Sequence, residues 1–338
     1  MAIDRLLIAG FGSIGARHLR LARSLLPQAQ ILVMRQRGGQ QVPAGADGCV
    51  QTLEQALAFR PTAAVIAGPA TMHATLALPL ARAGVHLLIE KPLDASSESI
   101  PALLAACKDS RSLLLVGYNL RFLPSLRAFR DAVHQGQAGR ILSVRAEVGQ
   151  YLPSWRPAID YRESVSASRK LGGGVLLELS HEIDYLRWIF GELAWVKAAA
   201  ARQSALETDV EDCAHLVLGF SPDDAQHPLM ARLDLDFIRH DTSRSCVAIG
   251  EEGSLRWNGL TGVVDFFVAG ASAWQTIANL PHKGDDSYLA QWRHFLACVA
   301  GEEAPLTSGL DGLRALQVVE ATRLAASQPG VTLTKDPA

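Results

Sequence analysis

Cysteine is scarce in this chain, and what there is stands apart. Cys49, Cys107, Cys213, Cys246 and Cys298 are scattered over 338 residues with no C-x-x-C pair. That argues against a disulfide framework and a thiolate zinc site, and it fits a reducing cytoplasm. An excess of charge of one sign is also missing: 32 Lys plus Arg against 34 Asp plus Glu leave a net charge of −2. The chain therefore carries no electrostatic footprint for nucleic acid or an anionic membrane. Long apolar runs are missing too. The most apolar stretch, Ala63 to Ile89, is interrupted by Pro69, His73, Pro79, Arg82, Gly84 and His86, so it reads as strand, helix and strand rather than a membrane span. No repeat or low-complexity tract is visible, and no secretory leader is expected ahead of the first strand.

What remains is an ordinary globular composition, 49% apolar and 20% charged, at a length that favours about two domains. The most informative segment is the first. Leu6-Leu7-Ile8-Ala9 reads as a buried strand and runs into Gly10-Phe11-Gly12-Ser13-Ile14-Gly15. A helical pattern follows, with Ile14, Leu21 and Leu25 apolar. A strand, a glycine turn and a helix in that order make a phosphate cradle. Gly10 permits the tight turn, Gly12 lets backbone approach a pyrophosphate, and Gly15 lets helix pack on strand. Ser13 and Ile14 open the helix whose free N–H groups favour an anion. The bland alternative is a tight turn with no ligand.

Up to Arg121, strands at Leu6–Ala9, Ile31–Met34, Ala63–Ala67, His86–Ile89 and Leu113–Gly117 alternate with helical patterns. Such alternation predicts a parallel sheet covered on both faces. After an irregular stretch from Gln150 to Gly174 comes one strong helix, Val175–Phe190. Closely spaced strands then run from Val196 to Phe267, and two helices finish the chain. The expected fold class is α/β. A Rossmann dinucleotide-binding domain over residues 1–121 precedes an α+β domain over 122–338, whose large, mostly antiparallel sheet serves substrate binding and oligomerisation.

Three features carry candidate chemistry. Past the second strand, where NAD-binding chains usually place an acid, stand Arg35 and Arg37. These would pair with a 2′-phosphate, which predicts NADP over NAD with NAD possible, unless they are simply a solvated basic loop. Glu90-Lys91-Pro92 closes the fourth strand, at the end of the sheet where ligands bind. In the helix after Gly172-Gly173-Gly174, His181 lies off the apolar stripe of Leu176, Leu179, Ile183, Leu186 and Phe190. Glu178 lies one turn before it, and Asp184 and Tyr185 one turn after. A histidine flanked by carboxylates suits general acid–base work, and a solvated polar face is its rival. The triple glycine reads as a mobile entrance to that face.

Together these motifs resemble the glucose–fructose oxidoreductase / inositol dehydrogenase / MocA family, over nearly the whole chain. The glycine loop, Pro69 with His73, the E-K-P at Glu90–Pro92, the stretch Gly117–Phe122 and the G-G-G…H-x-x-D helix at Gly172–Asp184 carry the resemblance. It implies NAD(P)-dependent oxidation or reduction at a carbinol or carbonyl carbon of a sugar, cyclitol or modified, possibly anionic, sugar. Lys91 would hold the reacting oxygen and His181 would move its proton, with Glu178 and Asp184 in support. Glu90, Lys91, Pro69, His73, Asn119, Trp155 and Arg156 would reach the cofactor. Tyr118, Arg121, Tyr151, Tyr161 and Arg169 would join Lys91 and His181 around the substrate. The resemblance also implies a homodimer or homotetramer. Two other readings stay open on the same fold, a nucleotide-binding regulator without turnover and a redox-assisted glycoside hydrolase. The chain departs from the family pattern at Leu177, where many members carry Asp, so Glu178 would have to substitute from a shifted angle. Ala70 likewise stands where Asn is common.

Overall fold

Short aliphatic runs, too brief for helices and apolar on both faces, build the first sheet. In the computed structural model, which describes residues 3–35, 41–221 and 228–328, they alternate with helices as the pattern predicts. The elements are β1 (Arg5–Ala9), α1 (Ser13–Leu25), β2 (Gln30–Met34), β3 (Gly48–Val50), α2 (Leu53–Ala58), β4 (Ala63–Ile66), α3 (His73–Arg82), β5 (His86–Ile89), α4 (Ile100–Ser110) and β6 (Leu114–Val116). All pairings are parallel, in the order β3-β2-β1-β4-β5-β6. The strand order reverses at β1, which puts the crevice of a doubly wound sheet directly over the glycine turn.

The rest of the chain contributes α5 (Pro124–His134), β7 (Ile141–Gly149), α6 (Val175–Glu178), α7 (His181–Phe190), β8 (Leu193–Ala201), β9 (Cys213–Phe220), β10 (Met230–Asp236), β11 (Ser243–Gly250), β12 (Gly253–Asn258), β13 (Val263–Val268), β14 (Gln275–Asn279), α8 (Asp286–Ala300) and α9 (Gly309–Ser327). Its eight-stranded sheet runs β14-β13-β12-β11-β7-β10-β9-β8. Only the central β7–β10 pair is parallel. One face carries Val144, Ala146, Cys246, Ala248, Leu255 and Trp257 into the core, where Tyr185 of α7 stands edge-on to Trp257 with centroids 5.6 Å apart. The two strands that the pattern does not announce are β3, only three residues long, and β14, a polar edge strand.

Two expectations change. The predicted helix Val175–Phe190 breaks at Leu179 and Ser180, giving α6 and α7. The glycines before it are buried, not a mobile entrance. A Cβ on Gly173 would lie 2.3 Å from the Val165 carbonyl oxygen, and Gly172, at φ +83°, packs against Ala70. Glycine is required there because backbone passes so close to backbone.

The chain also returns on itself. One face of the parallel sheet, Leu6, Ile8, Val65 and Leu88, packs under Leu19 and Ala22 of α1 together with Trp292, Phe295 and Val299 of α8. A helix from the far end of the chain thus completes the first domain's core. A second tie is ionic. Arg121, 3% exposed, donates to both Asp184 oxygens at 2.8 and 2.7 Å, to Asp311 at 3.1 Å and to the Leu306 carbonyl at 2.9 Å. It joins the end of the first domain to α7 and α9. Truncating one partner of such a pair strands a buried charge, so Asp184→Ala is expected to cost about 3–5 kcal/mol. Urea unfolding of the variant measures that loss, and an unchanged midpoint contradicts it.

Candidate active site

The cradle comes first. Gly10 adopts φ +101°, and a Cβ there would meet Gly68 backbone at 2.6 Å. A Cβ on Gly15 would sit 2.1 Å from the Gly10 carbonyl oxygen. At Gly12, the N-cap of α1, a Cβ would meet nothing within 4 Å, and no acidic residue stands in the first turn. Backbone packing therefore accounts for two of the glycines, and the third faces open space at a helix N-terminus. That arrangement fits a dinucleotide pyrophosphate, with Ser13 and Ile14 on its rim.

At the end of β5, Glu90 is buried and held. Trp292 Nε1–H donates to His18 Nδ1 at 2.9 Å. The proton of His18 therefore sits on Nε2, which donates to Glu90 Oε1 at 2.7 Å. The backbone N–H of Lys91 donates to the other oxygen of Glu90 at 3.2 Å. Neither His18 nor Trp292 was among the expected site residues. The signal was present: His18 fills the gap in the Ile14, Leu21, Leu25 stripe, and a histidine on a buried stripe needs polar partners.

Lys91 then reaches across to the second domain, where its Nζ donates to the Glu178 carbonyl at 2.8 Å. The helix break makes this possible. In an unbroken helix the Glu182 N–H would bond Glu178; here it bonds Leu179, at 3.3 Å. The freed carbonyl at the end of α6 becomes the anchor for an ammonium.

His181 opens α7 three residues later. It is 9% exposed, its Nδ1 is buried without a partner, and Tyr118 stands edge-on to it with centroids 5.7 Å apart. Burial above all, then the charges of Lys91 and Arg244, hold the imidazole well below its ordinary value of 6.5. A position at a helix N-terminus acts in the same direction. His181 is thus a neutral base at physiological pH, beside a fixed ammonium.

Several expected residues lie otherwise. The Glu178 carboxylate accepts from Ser166 at 3.1 Å, so its carbonyl, not its carboxylate, serves the site. Asp184 and Arg121 are consumed by one another, because the restarted helix turns Asp184 inward; neither is free for proton transfer or substrate. Tyr118 is fully buried with its hydroxyl 3.5 Å from Ser180, so it supports the imidazole and does not face a ligand. Asn119 donates to Ser287 at 2.7 Å inside the core. His73 is buried with its two ring nitrogens 2.9 Å from the Pro92 and Gly68 carbonyl oxygens. It ties two loops beneath the cleft, with Pro69 capping the short turn before it. Trp155 donates to the Gln150 carbonyl at 3.0 Å and stands edge-on to Phe237, while Arg156 is exposed beside it. Tyr151 stacks on His240 with centroids 4.1 Å apart. Tyr161 accepts from the Glu207 N–H, and Arg169 is bound to Asp209. Arg35 donates to the Gln41 carbonyl and lies 5.8 Å over the Phe11 ring. Arg37 lies outside the described residues.

A dinucleotide cradle facing a lysine and a histidine from two domains defines a class of nucleotide-dependent proteins, and comparison gives the family. Residues 5–118 match the model of the oxidoreductase family's NAD-binding Rossmann fold, and residues 130–333 match that family's C-terminal alpha/beta domain. The chain belongs to the glucose–fructose oxidoreductase / inositol dehydrogenase / MocA family. Similar proteins include an inositol 2-dehydrogenase of Rhizobium meliloti, 35% identical over 44% of this chain and 43% of that protein. A D-apiose dehydrogenase of Paraburkholderia graminis is 26% identical over 78% of this chain and 70% of its own length. The first of these alignments thus spans less than half of the relative. In fold, the chain is similar to levoglucosan dehydrogenase in complex with NADH and L-sorbose (TM-score 0.80, 20% identity, 96% of each chain). It is also similar to the WlbA dehydrogenase from Bordetella pertussis in complex with NADH and UDP-GlcNAcA (TM-score 0.78, 22% identity, 96% of this chain and 97% of that one). Among the described residues no helix is long and apolar enough to cross a membrane.

The relay behind Glu90 generates a measurable expectation. His18→Ala leaves a buried carboxylate oxygen without its donor, at a cost of about 1–3 kcal/mol. Guanidinium unfolding of the variant reads this directly, and wild-type stability would show that water or a rotamer change replaces the donor.

Proposed function

We propose that the protein is an NAD(P)-dependent dehydrogenase or reductase acting on a CH–OH group of a sugar, cyclitol or modified sugar. The observation that carries this reading is the Lys91 ammonium, anchored on the Glu178 carbonyl beside a neutral, buried His181. When bound, the nicotinamide dinucleotide supplies the hydride acceptor or donor. The chain's residues do the rest. Lys91 donates to the reacting oxygen and stabilises charge that develops on it. His181 accepts the hydroxyl proton in oxidation and returns it in reduction. Glu90, fixed by His18, orients the lysine backbone and borders the cofactor ribose. Burial excludes water, and the two domains align the reactants at near-attack distance. The names of the relatives, inositol 2-dehydrogenase and D-apiose dehydrogenase among them, support a polyol-like substrate.

NADP(H) is the preferred coenzyme in this reading, because Arg35 and no acid follows β2. The protein works in the cytoplasm as a homodimer or homotetramer. The outer face of the large sheet, where Trp195, Val217 and Met230 are exposed, meets the second copy.

Lys91→Ala and His181→Ala are each expected to lower kcat by about 10²–10⁴-fold while dinucleotide binding is largely kept. Because the folded imidazole takes its proton only well below 6.5, the wild-type acid limb of kcat/KM in the oxidation direction falls below that pH. Near-normal turnover in either variant, or a limb at or above 6.5, defeats the assignment. Fluorescence titration is expected to give a lower Kd for NADP than for NAD, and Arg35→Ala is expected to narrow the difference. Tighter binding of NAD by the wild type refutes the coenzyme preference.

A further inference from the structure

The large sheet sends one cation toward the site that the sequence reading did not single out. Arg244 lies opposite Val148 in the β11–β7 register, on the face that carries Cys246 and Ala248 into the core. Its Nε donates to Glu182 Oε1 at 2.8 Å. Glu182 is fully buried and directly follows His181 in α7. The guanidinium is therefore fixed by the residue adjoining the candidate base. Its charge acts on His181 and also on Tyr288 of α8.

The way this pair is made is informative. Some arginines in this chain put a single nitrogen on their carboxylate, as Arg140 does with Glu251 and Arg314 with Glu192, and others grip it with Nε and a terminal nitrogen together. Arg121 does so with Asp184, Arg187 with Glu192, and Arg256 with Asp265. Arg244 uses Nε alone. Glu182 Oε2 is left buried without a partner, and among the described residues neither terminal nitrogen of Arg244 makes a hydrogen bond. The side chain is 21% exposed. The terminal edge of the guanidinium is thus left free. A planar two-donor edge matches a carboxylate in geometry and charge.

We propose that Arg244 is a substrate-binding residue whose free edge takes a carboxylate on the sugar, so that the site prefers sugar acids over neutral sugars. Glu182 is its positioning residue, holding the guanidinium flat against α7. Two of the three arginines in the segment before α6 are engaged elsewhere. Arg162 is spent on Asp160 and Glu207, and Arg169 on Asp209.

This inference rests on the oxidoreductase reading, and binding separates the two. Calorimetry with the dinucleotide-loaded protein uses D-glucuronate and D-galacturonate against D-glucose, D-galactose and glucose 6-phosphate. A uronate is expected to bind at least tenfold more tightly than its neutral counterpart. Arg244→Gln is expected to remove that difference. Arg244→Lys, which keeps the charge and is the fallback if the glutamine variant fails to fold, is expected to lose most of the preference with the planar edge. Where turnover is seen, Arg244→Gln raises KM for the acid at least tenfold more than it raises KM for the neutral sugar. Binding of a uronate without turnover supports Arg244 and counts against the enzyme reading alone. Uronates that bind no better than neutral sugars, a preference for glucose 6-phosphate, or a preference that survives Arg244→Gln each overturn the proposal.

Discussion

One contact organises the cleft: an ammonium from the first domain bonded to a main-chain carbonyl of the second. Lys91 bonds Glu178 at 2.8 Å only because α6 ends there and α7 begins afresh at His181. A continuous helix would have spent that carbonyl on its own ladder. The same break places His181 in the first turn of a new helix, where protonation is disfavoured by burial, by the dipole and by the neighbouring cations. Fixing the lysine and tuning the histidine are thus two results of one backbone irregularity. The glycines ahead of it let the chain enter the break through space that no side chain fits.

Around this contact, buried polar groups are locked in pairs and chains. Trp292, His18 and Glu90 form one, and Arg121 with Asp184 and Asp311 another. Each draws on the C-terminal helices to fix a residue near the crevice of the parallel sheet. Buried charges are costly when unpaired, so such networks specify one arrangement of the domains more than they add stability. The Arg244–Glu182 pair differs, since the terminal nitrogens of Arg244 make no hydrogen bond among the described residues.

The relatives and fold neighbours share the scaffold while their names point to different sugars. Such diversity on one scaffold is expected, because function belongs to the site and not to the fold. In this chain, Tyr151, His240 and Arg244 stand on or beside the ends of β7 and β11.

By itself the sequence determined the parallel sheet, its glycine turn and the order of the two domains, and it singled out Lys91 and His181 as candidates, because each rests on local periodicity or a contiguous motif. It pointed wrongly wherever a residue's role depends on a partner distant in the chain. Asp184 and Arg121 looked available until each was found spent on the other, 63 positions apart. Glu178 looked like an orienting acid, but one turn of helix periodicity does not survive a helix break. His18, Trp292 and Arg244 drew no notice because their partners lie 72, 274 and 62 residues away. Tertiary structure alone decided these pairings, since desolvation makes a buried polar atom choose whichever partner the fold brings within 3 Å, whatever its place in the chain.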